Sequence, residues 1–252
     1  MTPHVAPPEF LQLAGHPVRW RLLGELGRSD RTVGELTGLI SEPQNLVSYH
    51  LGKLREGRLV SSRRSSADRR DTYYGIDLPR IGDLLSAAGQ ALHPGLRLAP
   101  PPRDVALAGA PRILFLCTGN SARSQMAEAL ARALSGDAVQ AFSAGSQPRP
   151  LHPNAVRALR EAYALDISGQ APKSFDVYAG QRFDRVISLC DRVREVCPEF
   201  PGVAEAVHWS LPNPATGEPD DVTYPLFQQA AAELATRIGF LLTALAHPPG
   251  GD

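Results

Sequence analysis

Lysine is almost missing from this chain. Of its 26 basic side chains only Lys53 and Lys173 are lysines, and the rest are arginine. We read that bias as genome composition, not mechanism. Cysteine is scarce as well: Cys117, Cys190 and Cys197 are three in 252 residues. An odd, sparse set excludes the paired framework of a small secreted domain and points to thiols that are catalytic or simply buried. No stretch approaches the roughly 20 apolar residues of a membrane helix. Met1–Phe10 carries prolines and no apolar core, so no secretory signal is expected. The expectation is a cytoplasmic chain with no membrane partner. Net charge is lacking too, with 26 basic against 26 acidic residues, but the balance is regional. Residues 1–102 hold 13 Lys/Arg against 10 Asp/Glu, which leaves 13 against 16 for the remainder. A mildly basic front permits a nucleic-acid partner there.

What is present divides the chain. Residues 94–111 read PGLRLAPPPRDVALAGAP, dense in Pro and Gly and without a period, which is linker composition. The expected organisation is a domain over 1–93, a Pro-rich linker over 94–111 and a second domain over 112–252, each domain of ordinary size. No internal repeat is visible. The front reads as mostly helical. Leu11, Ala14, Val18, Leu22 and Leu26 recur at helical spacing, predicting one helix over 10–26. Thr32 with Glu35 three residues on forms a capping-box pattern that starts a short helix, TVGELTGLI. SEPQ is a turn, residues 45–57 are a second helix ended by Gly57, and residues 59–64 and 72–77 form a hairpin with a charged tip. An amphipathic helix over about 79–92 follows.

The back segment alternates. Strands are expected at 113–117, 138–144, 185–190 and 206–211, and helices at 124–134, 154–163 and 222–246, the last with a break near Pro225. Such alternation predicts an α/β domain with a parallel four-stranded sheet flanked by helices.

In the front segment, helix, turn, helix and basic hairpin is the winged helix-turn-helix order. The second helix would enter the major groove, with Gln44, Asn45, Ser48, Tyr49 and His50 near its N-terminal end to read base edges. Lys53, Arg55, Arg58, Arg63, Arg64, Arg69 and Arg70 would neutralise phosphates. The plainer alternative is a protein-interaction module with a solvated charged face. LVSYHLGKLREGRLVSSRR followed by DTYYGIDL strongly resembles the ArsR family of winged-helix repressors, over about residues 8–92. The resemblance implies operator DNA as partner, a homodimer through the first and last helices, and release by a metal or metalloid. Two departures weaken the inducer part. TVGELTGLI has no cysteine where arsenic-responsive members often carry a pair, and Asp83 and His93 lack the paired His and Glu of the zinc-type site. No metal site is therefore expected.

In the back segment, CTGNSARS (117–124) lies between a buried strand and a helix. The backbone N–H groups of Thr118, Gly119, Asn120, Ser121 and Ala122 and the helix N-terminus would line one anion site. Arg123 supplies a planar fork for a tetrahedral oxyanion. That setting favours a Cys117 thiolate nucleophile. Ser124 can donate to the sulfur, and Asn120 can hold the loop's shape. ILFLCTGNSARSQMAEAL looks like the start of the low-molecular-weight tyrosine phosphatase and arsenate reductase superfamily, from about Arg112 to Ala246. VISLCDRVREVCPEFPG places Cys197 seven residues after Cys190, a pair that resembles the reductase branch, and HWSLPNPA resembles that branch's HWG…DPA segment.

That resemblance implies arsenate as substrate and arsenite as product. Cys117 attacks arsenic, Cys190 attacks Cys117, Cys197 attacks Cys190, and thioredoxin reduces the last disulfide, with no bound cofactor. Residues 191–196 would have to be mobile. One position departs: Asn213 stands where the family's general acid is an aspartate. Asp220 or Asp221 is a candidate substitute, and Asn213 can also be read as a plain turn residue. Two alternatives stay open at this point, a tyrosine phosphatase and a non-catalytic regulator that senses an oxyanion or arsenite.

Overall fold

The computed structural model describes residues 7–96, 109–198, 200–201, 203 and 206–247. The chain divides into two compact units, residues 1–100 and 101–252. Most of the expected linker, residues 97–108, lies outside the described residues, as does the start of the N-terminal stretch, residues 1–6.

The first unit opens with two helices, α1 (Glu9–Ala14) and α2 (Pro17–Leu26), where the spacing predicts one. Pro17 explains the break. Its ring disfavours helical backbone at the residue before it, and His16 is extended at ψ 129°. Pro17 then sits at the first position of α2, where its missing N–H costs nothing, and His16 Nδ1 accepts from Val18 N at 3.2 Å. β1 (Arg31–Thr32) leads into α3 (Val33–Ile40). The capping box is formed: Thr32 Oγ1 accepts from Glu35 N at 3.3 Å and Glu35 Oε2 accepts from Thr32 N at 2.8 Å.

After a turn with Ser41 in the left-handed region comes α4 (Gln44–Glu56). Gly57 follows it in ordinary helical backbone, and the left-handed residue is Arg58, φ 55°. Leu59 N reaches Leu54 O and Arg58 N reaches Arg55 O, both at 2.9 Å, so the helix closes in a Schellman motif with arginine at the usual glycine position. β2 (Val60–Arg64) and β3 (Thr72–Ile76) make the hairpin, and α5 (Leu78–Leu92) ends the unit. The antiparallel sheet order is β1-β3-β2; the short β1 carried no signal in the sequence. Leu22, Leu26, Leu36, Ile40, Val47, Leu51, Leu54 and Leu59 form the core.

The second unit comprises β4 (Arg112–Cys117), α6 (Arg123–Leu134), β5 (Gln140–Gly145), α7 (Pro153–Tyr163), β6 (Arg185–Ser188), α8 (Asp191–Glu195), β7 (Val207–His208) and α9 (Asp220–Ala246). All four strands are parallel in the order β5-β4-β6-β7. β4 is central, and its run Ile113–Leu114–Phe115–Leu116 is wholly buried, as a strand covered on both faces must be. β7 is shorter than the expected 206–211. Leu211 N turns back to Trp209 O at 2.9 Å, and Pro212 and Pro214 have no N–H to continue a ladder. α9 continues through Pro225, which lies in its second turn and forgoes only its own N–H bond to Asp221 O. Residues 191–195, expected to be mobile, are helical in this structure. Among the described residues no helix is long and apolar enough to cross a membrane.

Candidate active site

β4 ends on Cys117, in register with Gly145 of β5. The chain then wraps through Thr118–Ala122 into α6, whose first residue is Arg123. The wrap is held from outside. Backbone N–H groups of Gln147, Arg149 and His152 donate to the carbonyls of Thr118, Gly119 and Ser121 at 2.8, 2.9 and 2.8 Å. With these carbonyls engaged from outside, the loop leads directly into the N-terminus of the 12-residue α6. That is the arrangement that receives a tetrahedral anion. Asn120 is left-handed at φ 42°, a conformation asparagine tolerates better than most side chains.

Cys117 is buried, with Sγ 2.9 Å from Ser124 Oγ. Asn120 sets the direction of that contact. Its two amide N–H bonds go to Ser124 Oγ and Ser143 Oγ, each at 2.9 Å. Ser124 Oγ therefore accepts from Asn120 and has its O–H to donate to the sulfur. Asn120 Oδ1 accepts from Lys173 N at 2.7 Å and from Gln125 Nε2 at 3.2 Å. Ser143 donates to Glu128 Oε2 at 2.6 Å, and Glu128 is paired with Arg132 at 2.8 Å and Lys173 at 3.4 Å. A buried polar chain thus runs from the thiol to a compensated carboxylate. A satisfied network of this kind holds one geometry.

Arg123 is 8% exposed. Its Nη1 donates to Leu211 O at 2.7 Å and Leu189 O at 3.3 Å, and its Nη2 to Asn213 Oδ1 at 3.5 Å. Asn213 is therefore at the site. Its amide nitrogen is engaged by Ala215 O at 2.7 Å, so its oxygen faces the guanidinium. Asp220 is held on α7, by Asn154 Nδ2 at 2.6 Å and Arg157 at 3.4 Å, which commits the carboxylate suggested as a substitute acid to a structural bond. Asp221 is exposed in the first turn of α9.

Cys190 caps α8 at its start and is buried, its Sγ 3.2 Å from Thr118 Oγ1. The second thiol is therefore against the loop that carries the first. Cys197 lies beyond α8, half-buried, and burial pushes its thiol up to about 11. All three thiols are free. Among the described residues no group of three or more His, Cys, Asp or Glu side chains is placed to hold a metal ion.

On the first unit, Gln44, Asn45, Ser48 and Tyr49 are exposed along α4. Lys53 follows on the same helix, paired with Glu56 at 2.8 Å. His50 is a correction. It is 4% exposed, its ring 4.4 Å from that of His16, and its Nδ1 has no hydrogen-bond partner. It belongs to the buried face of α4 and cannot read bases. On the hairpin Arg64, Arg69 and Arg70 are exposed and Arg63 is half-buried. Arg70 forks onto Asp68 at 2.7 Å, and this partner holds the Asp68 carboxyl down at about 2.

The sequence reading passed over Gly145, Ser143, Gln125 and Glu128. Gly145 and Ser143 meet the loop from β5, Gln125 bonds Asn120 from the second residue after Arg123 in α6, and Glu128 acts through Ser143 and Lys173. The one local signal was the SAG stretch closing β5, which the parallel register sets beside Cys117.

The low molecular weight phosphotyrosine protein phosphatase family model matches residues 112–248, and a helix-turn-helix domain model matches residues 14–63. An arsenate reductase of Halalkalibacterium halodurans is 40% identical over 127 residues, 50% of this chain and 91% of the relative. One of Brevibacillus brevis is 41% identical over 126 residues, 50% of this chain and 90% of the relative. Among solved structures, an arsenate reductase in the phosphate-binding state matches with a TM-score of 0.47 at 28% identity, covering 54% of this chain and 98% of that one. The chain belongs to the low molecular weight phosphotyrosine protein phosphatase family, among its arsenate reductases, and carries a helix-turn-helix domain ahead of that part.

Proposed function

We propose that the chain joins a DNA-binding repressor to an arsenate reductase that works by a three-thiol relay. The observation that carries the enzyme reading is the place of Cys190, 3.2 Å from Thr118 on the loop of Cys117. A phosphatase has no use for a second thiol there.

Cys117 adds to arsenic within the loop, whose N–H groups and Arg123 stabilise the charge that develops. One oxygen leaves as water, taking two protons. Cys190 then attacks the Cys117 sulfur. The S–S bond forms, the S–As bond breaks, and its electron pair stays on arsenic, which departs as arsenite. Cys197 next attacks Cys190 and frees Cys117, and the Cys190–Cys197 disulfide is reduced by thioredoxin. Each sulfur step is thiol–disulfide exchange, governed by thiolate character and access.

Asn213 cannot supply a proton. For an aryl phosphate ester, loss of a general acid costs about 10²–10⁴-fold, so phosphotyrosine hydrolysis is weak at most. Arsenate, with a water-like leaving oxygen, suffers less. The test is thioredoxin-dependent NADPH oxidation with arsenate, using the native chain and Cys117→Ser, Cys190→Ser and Cys197→Ser. Turnover lost in all three variants supports the relay. A folded native chain with intact thiols and no turnover would overturn the enzyme reading in favour of the second one, which Asn213 favours: an oxyanion or arsenite sensor that tunes DNA binding.

For the front unit we propose a homodimer on a palindromic operator, with α4 in the major groove and the hairpin along the backbone. Arg64→Ala should weaken binding to all duplexes alike and lower the slope of log affinity against log salt by about 1. Fluorescence anisotropy over a salt series reads both.

A further inference from the structure

A buried polar cluster joins the segments that leave β6 and β7, and none of the steps above uses it. Asp191 is 1% exposed. Its Oδ1 accepts from Ser210 Oγ at 2.7 Å and from His208 Nε2 at 3.1 Å. A carboxylate can only accept, so Nε2 carries the proton. His208 is fully buried, and its Nδ1 lies 2.8 Å from Ser188 Oγ and 3.2 Å from Ser188 O. The cluster ties the residue just after Cys190 to the exit of β7 and to the end of β6.

The relay sets contrary demands on the two ends of the 190–197 segment. Cys190 must stay at the loop of Cys117 for the first exchange. Cys197 must then reach Cys190, and a disulfide needs Cα atoms within about 7 Å. The five residues of α8 rise about 7–8 Å between them, and the extended Cys190 and non-helical Val196 flank that helix, so α8 has to unwind for the two thiols to meet. A segment that refolded as a whole would carry Cys190 away from Cys117. Burial divides the segment in the matching way. Cys190, Asp191 and Val193 are buried, whereas beyond Val193 the chain is half-buried at Arg194 and Cys197 and exposed at Glu195 and Val196.

We propose that Asp191, held by His208 and Ser210, is a fixed pivot that positions Cys190 for attack on Cys117 while the Cys197 end moves. Asp191 is a positioning residue, not a catalytic one, and its role rests on the relay reading above. The cluster anchors residue 191 through its side chain, while the sulfur of Cys190 faces Thr118 on the loop of Cys117.

The experiment is a single turnover of the reduced full chain with arsenate, quenched with acid and alkylated. Mass spectrometry follows the Cys117–Cys190 disulfide, with Cys197→Ser as background so that this disulfide accumulates. Ser210→Ala, His208→Ala and His208→Gln are compared, and arsenate affinity is taken from protection of Cys117 against alkylation in a Cys190→Ser background, where no disulfide with Cys117 forms. The pivot predicts that His208→Ala slows disulfide formation at least tenfold while arsenate affinity stays within threefold. Ser210→Ala, a milder change that guards against misfolding, should slow it about threefold or more. His208→Gln, which keeps a donor for Asp191, should recover most of the rate. Folded variants that form the disulfide at the background rate overturn the pivot alone. Equal loss of arsenate affinity and rate also overturns it, by making the cluster a general structural element. A Cys197→Ser background that forms no disulfide with arsenate overturns the relay reading, and the pivot with it.

Discussion

A methyl group added at Gly145 would lie 2.6 Å from the Thr118 carbonyl oxygen, 2.7 Å from Asn120 N and 2.9 Å from the Cys117 carbonyl oxygen. These are backbone atoms of the oxyanion loop, and they can yield only by moving the loop. Gly145→Ala should cost about 1–3 kcal/mol of stability as an overpacked site. It should also lower arsenate turnover on the order of 10²-fold through misplacement of the loop; thermal unfolding and steady-state kinetics measure the two. Cys197 makes a second prediction at this scale. With burial holding its thiol near 11, its alkylation by iodoacetamide in the reduced chain should stay slow through pH 9. A heat-unfolded control should react at an ordinary thiol rate. His50 makes a third. Burial above all, then His16 and Arg19, lower its pKa, against a raising contribution from Glu42. The folded ring thus binds a proton less readily than the unfolded one, so below the unfolded value of about 6.5 the unfolded chain holds more protons. Stability of the first unit is full above that value and falls as pH drops through it. His50→Gln should flatten the decline in melts taken between pH 7.5 and 5. The burial of His50 was legible after all: residues 47, 50, 51 and 54 form one helical stripe, and the other three are Val, Leu and Leu. Cys117, Arg123 and Ser124 were legible because one short motif carries them. Ser143 and Gly145 were not, because their partners are reached only through strand register.

The elements show where local chemistry outweighs periodicity. Apolar spacing over 10–26 is unbroken, yet Pro17 divides it, because one ring restricts backbone that spacing does not sense. The end of α4 shows the reverse. Gly57 looks like the stop, but the left-handed residue is Arg58. A side chain there is strained where glycine is not. Arg58→Gly should raise the stability of the first unit by about 0.5–1 kcal/mol, read as a higher denaturant midpoint with an unchanged slope. α8 was expected as a moving segment and is found as a helix with one buried end, two aspects of a single element if only its far end moves.

At the scale of the molecule, each of the two units, residues 1–100 and 101–252, has its own core. Cys117, Arg123, Cys190 and Cys197, on which the proposed anion site and relay rest, all belong to the second unit. A fragment of residues 109–252 should therefore keep arsenate turnover within about twofold of the full chain and have no affinity for operator DNA, a comparison that kinetics and anisotropy decide. Within that unit, β4 and β6 are parallel neighbours, and Cys117 and Cys190 leave their carboxyl ends on the same side. Neither thiol interrupts the sheet, and the segment between Cys190 and Cys197 is a connection outside it. In evolutionary terms, such a layout separates inheritance from innovation. On the relay reading, changing that one connection should remove the redox function and leave the sheet and the loop of Cys117 in place.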